Sequence, residues 1–178
     1  MRSLLSITLL LISSLGADDP EGKPLFNGKD LTGWHVNKEM LDGKIESSDH
    51  RFVAFEGAIK ITGAPKIEDI YTTATFDHDF VLTLEFRATP NANSGLYIRG
   101  MQLQVRDYKR VGPYKDLKMY KDGGWNKIEV TVKGTSARCT CNGELLEAAL
   151  KVPAKGSIGL QSETNVIEYR NIRLKSIP

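Results

Sequence analysis

The chain has 178 residues, 24 of them basic and 22 acidic, with 40% hydrophobic and 8% aromatic content. That is enough for one domain with a real hydrophobic core and short for two. The charge balance, with Lys and Arg scattered among apolar residues, leaves no basic face of the kind nucleic acid requires.

The first residues read as a leader. Arg2 precedes an apolar run from Leu4 to Leu15, and the small residues Gly16 and Ala17 follow before acidic Asp18. This order of charge, apolar stretch and small-residue exit predicts a signal peptide over residues 1–17 and a single exported domain over 18–178, periplasmic or secreted. The run is shorter than the ~20 residues that cross a bilayer, and no cysteine near the cleavage point offers a thiol for lipidation, so no membrane anchor is expected.

Beyond the leader the pattern is period-two alternation, and the strands follow in chain order. From Phe80 to Arg87, apolar Phe80, Leu82, Leu84 and Phe86 alternate with Val81, Thr83, Glu85 and Arg87. Leu96 and Ile98 alternate with Tyr97 and Arg99, then Leu103 and Val105 with Gln102, Gln104 and Arg106. Trp125 leads a further strand in which Ile128, Val130 and Val132 form the apolar face. Asn142-Gly143, placed between Ser136–Cys141 and Glu144–Leu150, supplies the positive φ angles of a tight hairpin turn. Lys155-Gly156-Ser157-Ile158-Gly159 leads into another strand. Near the end the apolar parity shifts between Ile167/Tyr169 and Ile172/Leu174, which predicts a β-bulge at Arg170 or Asn171. Many short half-buried strands predict an all-β sandwich of two antiparallel sheets.

Several chemistries lack their residues. His35, His50 and His78 are far apart and form no metal-type pair, no G-x-S-x-G elbow occurs, and Lys155–Gly159 opens a strand rather than a phosphate-binding helix. Asp77-His78-Asp79 reads as a solvated loop before a strand. Cys139 and Cys141, two apart on one strand face, are poorly placed to bridge each other. What remains is a polar strand face of Glu85, Arg87, Tyr97, Arg99, Gln102 and Gln104, with Asp107 just beyond. If those strands are neighbours in one sheet, the face offers planar hydrogen-bonding groups and a ring for a small carbohydrate. The alternative is an ordinary solvated face with cross-strand ion pairs such as Glu85–Arg99 and Arg87–Asp107.

The segment Pro24-Leu25-Phe26-Asn27-Gly28-Lys29-Asp30-Leu31-Thr32-Gly33-Trp34 resembles the opening signature of the 3-keto-disaccharide hydrolase family. Phe80–Arg87 with Asn93-Ser94-Gly95-Leu96-Tyr97-Ile98-Arg99, Met101–Asp107, Gly124-Trp125-Asn126, Gly159-Leu160-Gln161 and Tyr169-Arg170-Asn171-Ile172 resemble its later segments in order. The resemblance implies a concanavalin-like jelly roll that cleaves 3-keto-disaccharides or 3-keto-glycosides, by C2 proton abstraction and elimination or by direct displacement. It makes Glu85 and Asp107 the acid/base pair, and Arg87, Arg99 and Gln104 the holders of hydroxyls or an enolate oxygen. Asn93 and Ser94 would shape the adjoining loop, and Tyr97, Gln102 and Gln161 would touch the sugar. Gln102 stands where many relatives have Glu, and Ser162-Glu163 where many have Asp and His, which keeps a sugar-binding domain without catalysis as the alternative. No cofactor is expected. A divalent cation would suit enolate formation, but no ligand spacing for one is present. The oligomeric state is left open.

Overall fold

A computed structural model describes residues 21–63 and 68–178. The expected signal peptide lies outside the described residues. All regular structure among the described residues is β: β1 (Lys23–Pro24), β2 (Trp34–Val36), β3 (Glu39–Met40), β4 (Phe52–Phe55), β5 (Ala58–Thr62), β6 (Glu68–Thr72), β7 (Phe80–Ala88), β8 (Asn93–Ile98), β9 (Met101–Arg106), β10 (Asn126–Lys133), β11 (Ser136–Cys141), β12 (Glu144–Lys151), β13 (Ile158–Ser162) and β14 (Val166–Ser176). They form two antiparallel sheets. One has eight strands in the order β12-β11-β10-β7-β14-β5-β4 with β1 beside β14, and the other six in the order β3-β2-β6-β13-β8-β9.

The alternation explains the packing. Phe80, Leu82, Leu84 and Phe86 of β7 are buried against Leu96 and Ile98 of β8, Leu103 and Val105 of β9, and Leu160 of β13, in one continuous apolar cluster. Trp34, Phe52, Tyr108 and Tyr169 are its largest fully buried side chains. Trp34 keeps its indole N–H satisfied by donating to the Leu25 carbonyl at 2.8 Å. Asn142 and Gly143 adopt φ of 48° and 87° at the β11–β12 turn, as a two-residue hairpin requires. The expected bulge is present. The β14–β7 register shifts between Arg170 and Arg173, and Asn171 takes φ 52°. Cys139 and Cys141 are both buried, free thiols.

One expectation is overturned. β7 does not adjoin β8 and β9 in a common sheet: both of its edges are taken, by β10 on one side and β14 on the other. Thr89–Ala92 carries the chain across to the other sheet. Alternation tells which side chains point inward but not which strands pair, so sequence neighbours on β7 and β8 lie on opposite layers of the sandwich.

Candidate functional site

The polar residues singled out in the sequence divide into three groups. Glu85 and Arg87 sit on the outer face of the eight-stranded sheet. Glu85 accepts from Arg170 Nε at 2.8 Å and from Asn171 at 2.7 Å, and Arg87 donates to Glu168 from Nε at 2.7 Å. Both guanidiniums lie over the Trp125 ring, Arg170 at 3.9 Å and Arg87 at 4.9 Å from its centroid. Beside them is an open trough of about 630 Å³ lined by Thr83, Glu85, Lys127, Glu129, Asn171 and Arg173. Lys127 and Glu129 are 3.5 Å apart. The cross-strand ion pairs expected here exist with other partners: Glu85 meets Arg170 rather than Arg99, and Arg87 meets Glu168 rather than Asp107.

A second group is structural. Arg99, only 3% exposed, ends β8 at φ 53° and turns inward. It donates to the carbonyls of His78 at 2.5 Å, Gly134 at 2.9 Å and Pro153 at 3.3 Å, tying three loops together. Asp107, 1% exposed, accepts from the Asn91 amide at 2.9 Å and from Arg110 at 2.8 Å, so it organises the loop after β9. Ser94 is buried on the core side, donating to the Gln161 carbonyl at 2.6 Å and lying 2.8 Å from the Tyr169 hydroxyl. Outward alternation was expected to bring Arg99 and Asp107 to the polar face. Each sits just past the end of its strand, where the period of two no longer governs direction.

The third group does assemble, on the outer face of the six-stranded sheet. Registers place His35 beside Tyr71, Tyr71 and Tyr97 on either side of Gly159, and Tyr97 beside Gln102. The next row sets Asp69 beside Gln161 and Gly95 beside Gln104. Both glycines clear space. A Cβ on Gly159 would lie 2.5 Å from the Tyr71 ring, and one on Gly95 would lie 2.2 Å from the Gln102 amide. The Tyr71 and Tyr97 rings consequently approach to 5.5 Å over the strand between them.

Hydrogen bonds on this face run in one direction. Gln104 Nε2 donates to Gln102 Oε1 at 3.1 Å, Gln102 Nε2 to Gln161 Oε1 at 2.8 Å, and Gln161 Nε2 to the Tyr97 hydroxyl at 3.1 Å. Tyr71 donates to Asp69 Oδ2 at 3.1 Å. Each amide keeps a second N–H for a ligand. Asp69 Oδ1, Gln104 Oε1 and Asn93 Oδ1 are buried acceptors with no partner among the described residues, a costly state that a bound polar molecule relieves. Asn93 meanwhile donates to Glu163 through Nδ2.

The electrostatics suit acid–base work. Burial holds the Asp69 carboxyl above its ordinary range despite the Tyr71 and Tyr97 phenols beside it, so its proton affinity is enhanced. Burial, then the Asp69 charge, pushes the Tyr97 hydroxyl up to about 12 and raises Tyr71 as well, so both phenols remain neutral donors. Asp69 and Tyr71 were missed in the sequence. Their signal was a single alternation, Asp69 and Tyr71 about Ile70, too short to separate from a loop. Among the described residues no three His, Cys, Asp or Glu side chains converge as metal ligands.

The two facing sheets define a concanavalin-like jelly roll. The chain belongs to the family of 3-keto-alpha-glucoside-1,2-lyase-like domains, whose model matches residues 21–175. Among solved structures it is similar to two candidate glycosyl hydrolases from Parabacteroides distasonis. One has 18% identity and TM-score 0.65, covering 86% of this chain and 93% of that one. The other has 20% identity and TM-score 0.65, covering 87% and 98%. The carbohydrate binding module CBM66 from Bacillus subtilis matches at 12% identity and TM-score 0.52, covering 82% and 96%. At these identities the likeness is one of fold. No curated protein matches the chain. Among the described residues no helix is long and apolar enough to cross a membrane.

Proposed function

We propose that this domain cleaves 3-keto-glycosides on the outer face of the six-stranded sheet, with Asp69 as the base. The observation that carries the reading is the Asp69 carboxylate itself: half-buried, tied to Tyr71 through one oxygen and without a partner among the described residues at the other. The family's lyase-like character supports the substrate class.

A ketone at C3 acidifies the hydrogen on C2, so a carboxylate of raised proton affinity can remove it. Asp69 takes that proton, and the C2–H electron pair moves into an enolate whose charge rests on the C3 oxygen. The spare N–H groups of Gln102 and Gln161 are the donors available to that oxygen. Collapse of the enolate breaks the bond from C1 to the glycosidic oxygen, which leaves as an alcohol with the proton returned by Asp69. The products are the alcohol and a 1,2-unsaturated 3-keto sugar, and addition of water across the double bond gives net hydrolysis.

Sugar binding without cleavage is the second reading, favoured by the amide ladder that Gln102 completes, since an amide cannot act as a base. The deciding experiment incubates the protein with a 3-keto-disaccharide and follows the enone and 3-keto-glucose, beside Asp69→Asn and Glu85→Gln. The expected outcome is a loss of about 10²–10⁴-fold on Asp69→Asn, the range for a positioned general base. No turnover by the intact protein, with binding retained, would favour the second reading. A loss confined to Glu85→Gln would move the chemistry to the eight-stranded face.

A further inference from the structure

Arg106 is the outward residue of β9 one step beyond Gln104, and it stands opposite Asn93 in the register. It is half-buried, and its Nε is buried with no hydrogen-bond partner. The other arginines near the polar faces have partners, Arg87 with Glu168, Arg99 with three carbonyls, Arg110 with Asp107 and Asp122, and Arg170 with Glu85, although Arg99 Nε is, like that of Arg106, buried without one among the described residues. Arg106 makes no hydrogen bond or ion pair with any described residue. Its position is nonetheless fixed. Gly112, at φ 73°, folds back onto the side chain so closely that a Cβ there would lie 2.4 Å from Nη1. A half-buried guanidinium held in place without an acceptor is costly unless something supplies one.

We infer that Arg106, with Asn93 and Gln104, forms a subsite for a carboxylate-bearing sugar, so that the leaving group of the cleaved glycoside is a uronic acid. This rests on the assignment of the six-stranded face as the site. β6 and β9 are separated by β13 and β8, so Asp69 and Arg106 stand about 14 Å apart across the sheet and about 7 Å apart along it, by ordinary strand spacings. The separation between them is a span that a disaccharide fills. The fork of Arg106 suits a carboxylate's two oxygens. Beside it, Asn93 Oδ1 and Gln104 Oε1 are buried acceptors without a partner among the described residues, which a turn of each side chain would offer to the hydroxyls of the same sugar. Glu163 does not oppose the anion directly, because Asn93 Nδ2 holds its carboxylate on the other flank.

The test is binding, which reads Arg106 independently of turnover. Titration calorimetry compares glucosyl-glucuronate with neutral glucosyl-glucose on the intact protein, Arg106→Gln and Arg106→Lys, with melting curves to confirm that each variant folds. The intact protein is expected to bind the uronate at least ten-fold tighter, with the ratio shrinking as salt rises. Arg106→Gln should collapse the ratio to within about two-fold, and Arg106→Lys, which keeps charge but loses the fork, should give an intermediate value. Equal affinities, no binding of either disaccharide, or a preference that survives Arg106→Gln overturns the inference. Because Asp69→Asn tests the chemistry and this ratio tests the anion subsite, either can fail while the other stands.

Discussion

Gly159→Ala tests whether the Tyr71–Tyr97 pair is a working part of the site or only surface packing. Gly159 has ordinary backbone angles, so its replacement carries no left-handed penalty, and the cost is steric. The new methyl would stand 2.5 Å from Cδ1 and Cε1 of Tyr71, whereas ordinary contact begins near 3.4 Å, so the ring must move by about 0.9 Å. The hydroxyl moves with it, and the 3.1 Å bond to Asp69 passes out of hydrogen-bonding range. Overpacking of this size costs about 1–2 kcal/mol, which at this chain length lowers Tm by roughly 2–8 °C. Turnover should fall much further, by about 100-fold, because a displacement of this order at a reacting group costs that much. The assay pairs calorimetric melting with release of 3-keto-glucose from a 3-keto-disaccharide. Wild-type turnover at a lowered Tm would refute the reasoning, since the tyrosine would then have moved without consequence for chemistry.

Further outcomes follow from the same geometry. Burial holds the Asp69 carboxyl above its ordinary range, so this group's contribution to stability is complete below the ordinary Asp pKa and is lost as pH rises through the raised value. Asp69→Asn removes that loss, so the Tm of the variant minus that of wild type should grow more positive from about pH 3 to pH 7; a gap that shrinks over that window would contradict the assignment. In turnover the same group sets the acid limb, with rate rising as Asp69 deprotonates and holding until Tyr97 ionises near 12; a profile rising only through the histidine range would point to another base. Arg99→Met should leave the carbonyls of His78, Gly134 and Pro153 without their donor and cost at least about 3 kcal/mol, seen as a Tm loss of roughly 6–12 °C; a change below about 1 kcal/mol would mean the loops are held elsewhere. Burial pushes both cysteine thiols up to about 12, so a thiol reagent should leave the native protein unmodified and titrate both only after denaturation; fast labelling of the folded protein would show the strand to be open.

The strands from β7 onward and their inward faces were determined by the sequence alone, whereas β6 was not. Phe80, Leu82, Leu84 and Phe86, the Asn142-Gly143 turn and the parity break at Arg170-Asn171 are local signals, and each is found where the pattern put it. The separation of Glu85 from Tyr97 was not determined that way. It follows from which strands pair, and β7 is flanked by β10 and β14, which arrive 38 or more residues later in the chain. Much of the candidate face was legible, since Asn93, Tyr97, Gln102, Gln104 and Gln161 were named and do come together. Asp69 and Tyr71 join them only because β6 docks against β13, some ninety residues away. Alternation fixes the direction of a side chain, a property of two consecutive peptide units. Which carboxylate ends up beside which phenol is fixed by long-range pairing and by the room that Gly95 and Gly159 leave, and only the packed sheet holds that information.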